Sequence, residues 1–192
     1  MFTGGGFGVG LTVTDVALPL LPPPGTAEPW LGEVLPVHAR TAAEKALELQ
    51  RVQRLKAELA AYELELVAAF AADRPDTLDR PPGRPGAAAD PGDGSVPGPG
   101  AREGVSEFFA DELALVLHCS PQAAGVLTEH AATLTQSLRA TLAALAEGRL
   151  DWSRARTMAE ELGDKVRGTH PGVLAAVQAA VLPDAMSLSI RR

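Results

Sequence analysis

The residues of this chain best suited to chemistry are few. They are the consecutive trio His118-Cys119-Ser120, the carboxylate pairs Asp111-Glu112 and Glu160-Glu161, and three arginines, Arg149, Arg154 and Arg156. A thiol beside the start of a helix ionises more readily than a free one and can act as a nucleophile. A nucleophile also needs a base and an orienting group brought to it in space, and consecutive residues do not face one another. The trio therefore reads as a turn between helices, with Cys119 as small filler and Ser120 as a cap. Neighbouring helical positions diverge by about 100°, so neither carboxylate pair converges on one substrate atom. Both read as solvated faces, with Glu112 as a polar residue held between helices for packing specificity. His38, His118, His130 and His170 never fall three or four apart, so no helix face presents two metal ligands. One cysteine excludes an intramolecular disulfide and a cysteine-rich zinc site. The expectation is no catalytic residue, no metal, no cofactor and no small-molecule ligand.

The arginines suggest a different role. Leu138–Glu147 and Asp151–Gly163, joined by Gly148-Arg149-Leu150, have the spacing of a helix-turn-helix. Arg149, Arg154 and Arg156 would lie at or near the start of the second helix, where a recognition helix meets base edges. Against DNA contact, Arg156 precedes Glu160 by four and Glu161 precedes Lys165 by four, an ordinary salt-bridged surface. Residues 106–192 carry 8 Lys and Arg against 10 Asp and Glu, a net of −2.

The elements that would position these residues are helical. Residues 1–38 read as an irregular tail, because glycines precede a brief apolar alternation at Val9, Leu11 and Val13 and prolines follow it. Those glycines lack the Lys-Ser/Thr of a phosphate loop and the spacing of a dinucleotide fingerprint. Residues 39–73 read as one long amphipathic helix. Val52, Leu55, Leu59, Tyr62, Leu66 and Ala69 recur at alternating steps of three and four, the seam of a heptad. At about two and a half heptads, the seam must pack on a helix of this chain or of a partner. Arg74-Pro75 ends the helix, since a residue before proline leaves the α region.

Residues 74–105 are Pro/Gly-rich with hardly any side chain large enough to bury, and read as a disordered linker. Residues 106–192 read as a compact set of short helices. Ser106 is the expected N-cap of the first, and Ser120-Pro121 opens the second. Gly148 stops the third, Asp151 caps the fourth, and a fifth turns Val173 or Leu174, Val177 and Val181 inward until Leu182-Pro183 ends it. Asp184 would cap a sixth. The fold class is all-α: one long helix plus a compact bundle of short helices.

Composition agrees. With five Phe, two Trp and one Tyr among 192 residues, the core must come from Leu, Val and Ala, which suits helix on helix. A net charge of −7 argues against a general nucleic-acid-binding surface but allows a local basic patch. No segment approaches the roughly 20 apolar residues of a membrane helix. No positive charge precedes Arg40, so a secretory n-region is missing. With one cysteine, a reducing, cytoplasmic setting without a membrane partner is expected.

Particular residue strings also carry a resemblance. They are Phe109-Ala110-Asp111-Glu112-Leu113-Ala114, Ser120 with Ala123-Ala124, and Leu138-Arg139-Ala140-Thr141-Leu142-Ala143-Ala144-Leu145 with Gly148, Leu150 and Ala155-Arg156, then Val181-Leu182-Pro183 with Ala185. With the long helix before them, residues 39–192 resemble one domain of unknown function 222 (the 13E12 repeat family) of actinobacteria, including its Pro/Gly-rich insertion. In that family the helical domain usually precedes an HNH endonuclease module, whose His, Asn and paired Cys residues this chain does not contain. The resemblance implies a non-enzymatic helical domain, incomplete at its C-terminus, that would help position a nuclease on DNA. The alternative is a helical protein–protein module, pairing with itself or a helical partner through Val52, Leu55, Leu59, Tyr62 and Leu66.

Overall fold

The computed structural model describes residues 36–80, 102–166 and 168–187. Most of the expected tail (1–35) and linker (81–101) lies outside the described residues. Residues up to Ala42 form a unit separate from Ala43–Arg192. The smaller unit shows a short 3-10 turn, Val37–Ala39. The larger unit holds the helical fold.

Six α-helices, and no strand, occur among the described residues, so the fold is all-α. Helix α1 spans Ala42–Ala72. Its 31 residues contain neither Gly nor Pro and are rich in Ala, Leu, Glu, Lys, Gln and Arg, the strongest helix formers. After Asp73, Arg74-Pro75 breaks it as expected. The face it buries is not the Leu/Tyr seam. Ala57, Ala61, Leu64, Val67 and Ala71 are buried, while Leu55, Leu59, Tyr62 and Leu66 are exposed and Val52 is half-buried. At 100° per residue the two stripes point to opposite sides of the helix. The physical reason is complementary size: large core side chains, Phe109, Leu113, Leu145 and Leu150 among them, share one cluster with the alanines of α1, which leave them room.

Residues 75–80 and 102–105 depart from the expected disorder. A 3-10 turn at Asp76–Leu78 follows Pro75. Asp76 Oδ2 then accepts from Gly104 N–H (3.0 Å), and Asp79 accepts from Ser106 Oγ (2.5 Å) and Glu107 N–H (3.0 Å). Here the acid side chains satisfy backbone donors that composition alone left unpartnered. The N-cap residue is Phe108 instead of the expected Ser106, whose Oγ nevertheless accepts from Phe108 N–H (3.3 Å). Helix α2 begins at Phe109 with no side-chain cap and runs to Leu117.

Helix α3, Pro121–Ala132, starts as expected, with Ser120 Oγ accepting from Ala123 N–H (3.2 Å). It passes into a π-turn, Thr133–Ser137, closed by Leu138 N–H to the Thr133 carbonyl at 2.9 Å. Helix α4 is Arg139–Ala146 and α5 is Trp152–Val166. Gly148 between them has φ +66°, and an added Cβ would overlap the Arg54 side chain from α1, so this position requires glycine twice over. Asp151 Oδ1 caps α5 by accepting from Arg154 N–H (3.0 Å).

The last helix corrects two expectations. Helix α6 runs unbroken from Pro171 to Ser187 with Pro183 inside it. Leu182, Ala185 and Met186, flanking the proline, all pack on the core, which holds the helix in line although Pro183 has no N–H for the i−4 carbonyl. Val173 and Val181 are exposed. Leu174 with Leu182 faces inward, and between them lies Gln178, 4% exposed.

Gln178 has a structural task. Leu138 precedes α4 without a side-chain cap, so the first N–H groups of α4 need acceptors. The Gln178 amide oxygen accepts from Thr141 N–H (3.1 Å) and Thr141 Oγ1 (3.2 Å). Its Nε2 donates to the carbonyls of Leu174 (3.3 Å) and Ser137 (3.4 Å). Thus α6 caps α4 from 37 residues away.

Candidate interaction surfaces

His118-Cys119-Ser120 forms a helix-to-helix turn. His118 ends α2 in the left-handed conformation (φ 51°), Cys119 N–H bonds the Ala114 carbonyl (3.0 Å), and Ser120 caps α3. All three are exposed, and the turn is made by the His118 and Cys119 backbone and the Ser120 hydroxyl.

Glu112 is bound in a bidentate pair by Arg74, Nε to Oε2 at 2.8 Å and Nη2 to Oε1 at 2.7 Å. The hydrogen bonds from Arg74 hold the Glu112 carboxyl below its ordinary range, and the same bonds raise Arg74. The guanidinium lies 4.9 Å from the Phe70 ring centroid, and Phe70 meets Phe109 edge-on at 5.3 Å. With Ser106 N–H on the Arg74 carbonyl (2.8 Å), these contacts latch the end of α1 to the start of α2. The role expected for Glu112, a polar group between helices, is where the structure puts it; Asp111 beside it is exposed.

On α5, Glu160 Oε1 lies 3.2 Å from Arg156 Nε and 3.8 Å from His130 Nε2. His130 is buried and meets Trp152 edge-on at 5.8 Å. Burial pushes its imidazole below the ordinary value, opposed by Glu160. Glu161 and Lys165, expected as a second helical pair, are both exposed and unjoined.

Of the three arginines, Arg149 and Arg154 come together and Arg156 does not. Arg149 and Arg154 line a groove of about 460 Å³ with Gln50, Gln53 and Arg54 of α1 and Asp151. Arg154 is paired to Asp151, and Arg149 Nε to Glu147 Oε2 at 2.5 Å. Arg54 makes no ion pair among the described residues, and nothing in the sequence singled it out. Only the glycine at the α4–α5 turn, which its stem covers, could have pointed to it. The described residues hold no group of three or more His, Cys, Asp and Glu arranged for a metal, and no helix long and apolar enough to cross a membrane.

A further feature is the outer face of α1. Leu55, Leu59, Tyr62 and Leu66 stand 44% to 66% exposed along one stripe. Scattered exposed apolar residues are ordinary, whereas a contiguous stripe at heptad spacing marks an interaction surface.

Comparison with protein-family models found no match, and neither a curated protein nor a solved structure matches the chain.

Proposed function

We propose that this chain is a non-catalytic helical interaction module that binds a helical partner through the outer face of α1. The exposed Leu55–Leu66 stripe carries the reading, because it lies opposite a face that already fills the core. The position of the side chains with chemical potential supports it: Ser120 caps, Glu112 latches, and His130 packs on Trp152. A reducing, cytoplasmic compartment belongs to the reading through the single cysteine. The similarity to the actinobacterial domain of unknown function 222 rests on the residue strings alone.

The test is crosslinking of the tagged full chain in extract of its own source cells, beside a Leu59→Asp/Leu66→Asp variant. Because both positions are exposed, the variant should keep its helical circular dichroism. Crosslinked species, to itself or to another protein, should be present with the unmutated chain and lost with the variant. Species that are absent or identical in both would refute the reading, as would unfolding of the variant.

A second reading, positioning of a nuclease on DNA, is favoured by one observation. Arg54 joins Arg149 and Arg154 around a single groove beside a helix-turn-helix-like pair. The arginine partners Asp151 and Glu147 weaken it. A duplex-DNA mobility shift at about 50 mM salt, lost in Arg54→Ala/Arg149→Ala, would support it, and no shift would end it.

A further inference from the structure

The α1 stripe is self-complementary in one orientation. With Leu59 at heptad position a, Tyr62 is d, and a second copy laid antiparallel stacks Leu59 on Tyr62, Leu55 on Leu66 and Val52 on Ala69, each layer occurring twice by symmetry. The six layers run along 18 residues, about 27 Å. The flanking charges then select the direction. Lys56 and Glu63 occupy the same flank one heptad apart, so antiparallel copies bring Lys56 of each against Glu63 of the other. On the opposite flank Glu58 meets Glu65. A parallel pair would instead set Glu58 against Glu63 and Arg51 against Lys56, four like-charge contacts and no favourable one. The side chains of Lys56, Glu63 and Glu65 are exposed on this helix.

We propose that the α1 stripe binds a second copy of this chain with the two α1 helices antiparallel. This rests on the interaction-module reading and names its partner. The strip is narrow beside the roughly 800 Å² per partner of a standard interface, and two Glu–Glu contacts oppose it, so association is weak and concentration-dependent. Sedimentation equilibrium of the full chain from about 5 to 500 µM, a range that brackets micromolar dissociation constants, reads it directly.

The unmutated chain should move from 19.9 kDa toward twice that mass. Leu59→Asp should hold it at monomer with its circular dichroism unchanged. Lys56→Glu should weaken the dimer about tenfold, Lys56→Glu/Glu63→Lys should restore it, and Glu65→Lys should tighten it by replacing both Glu–Glu contacts. A parallel dimer gives opposite signs. There Lys56→Glu would tighten by meeting Arg51, and Glu65→Lys, facing Phe70, would do little. That pattern, a monomer at every concentration, or a dimer that survives Leu59→Asp would each overturn the proposal. A monomeric chain whose heterologous crosslinks vanish in Leu59→Asp/Leu66→Asp would overturn self-pairing and leave the interaction-module reading standing.

Discussion

Replacing Gln178 by Met removes one oxygen that two buried donors share. The Thr141 residue is fully buried, and its N–H (3.1 Å) and hydroxyl (3.2 Å) both point to the Gln178 oxygen. Methionine keeps the length of the side chain and its apolar contacts, so no large cavity opens. A buried donor left without a partner costs about 1–3 kcal/mol. The hydroxyl can turn to other acceptors, whereas the N–H is fixed by the helix, so the N–H sets the scale. Burial of an apolar tip in place of an amide recovers about 1 kcal/mol. The balance is a loss of up to about 2 kcal/mol, a fall in melting temperature of up to roughly 8 °C for a unit of this size.

Urea denaturation followed by circular dichroism should show a lower midpoint with an unchanged slope. Thr141→Val isolates the pair. It should cost less in the Gln178→Met background than in the unmutated chain, since the hydroxyl is already orphaned there, with a coupling of about 1 kcal/mol. A midpoint equal to or above that of the unmutated chain, with no coupling, would refute the idea that α6 caps α4.

The same contacts give three further expected outcomes. His130 is held neutral by burial, so its folded pKa lies below 6.5; its contribution is complete above the unfolded value and is lost as pH falls through the folded one. Stability should therefore decline below about pH 6.5, less so in His130→Leu, and a His130 titration by NMR at or above 6.5 would contradict this. His118→Gly should raise the melting temperature in a thermal scan, because glycine adopts φ 51° without the Cβ penalty of about 1–2 kcal/mol, partly offset by chain entropy; a lower value would refute it. Glu112→Gln should speed hydrogen exchange at Ser106 N–H, whose acceptor is the Arg74 carbonyl, and leave Leu64 and Leu145 protected; unchanged exchange at Ser106 would show that the charge does not hold the latch.

Local signals read well from the sequence where one residue decides the geometry. Ser120-Pro121, Gly148 and Asp151 mark helix ends because a cap or a positive φ is a property of the residue and its immediate neighbours. Where a partner distant in the chain decides, the reading fails. Asp79 holds the Ser106 hydroxyl from 27 residues away, and Pro183 reads as a stop because its packing neighbours across the core cannot be seen in a linear pattern. Gln178 illustrates the same limit on α6. The apolar pattern of that helix points to its valines, yet Gln178, the acceptor for Thr141, is its most buried residue.

The α1 helix carries the largest reversal and the functional argument together. Sequence patterning ranks the Leu/Tyr stripe above the Ala-rich one, since hydrophobicity grows with apolar area. Packing ranks them the other way round, because the alanines leave room for large side chains from the other helices, and Leu64 and Val67 join Phe109 and Leu113 in a common cluster. A helix with one apolar face satisfies a monomer, and so does one whose second face is charged. Here the second face keeps Leu at 55, 59 and 66 and Tyr at 62, while Lys and Glu occupy its flanks. Exposed Leu in a helix gains little from propensity alone over Glu or Lys, so the fold of one copy does not account for four such residues at heptad spacing. A second helix on that face does account for them, and the flanking charges favour the antiparallel direction over the parallel one.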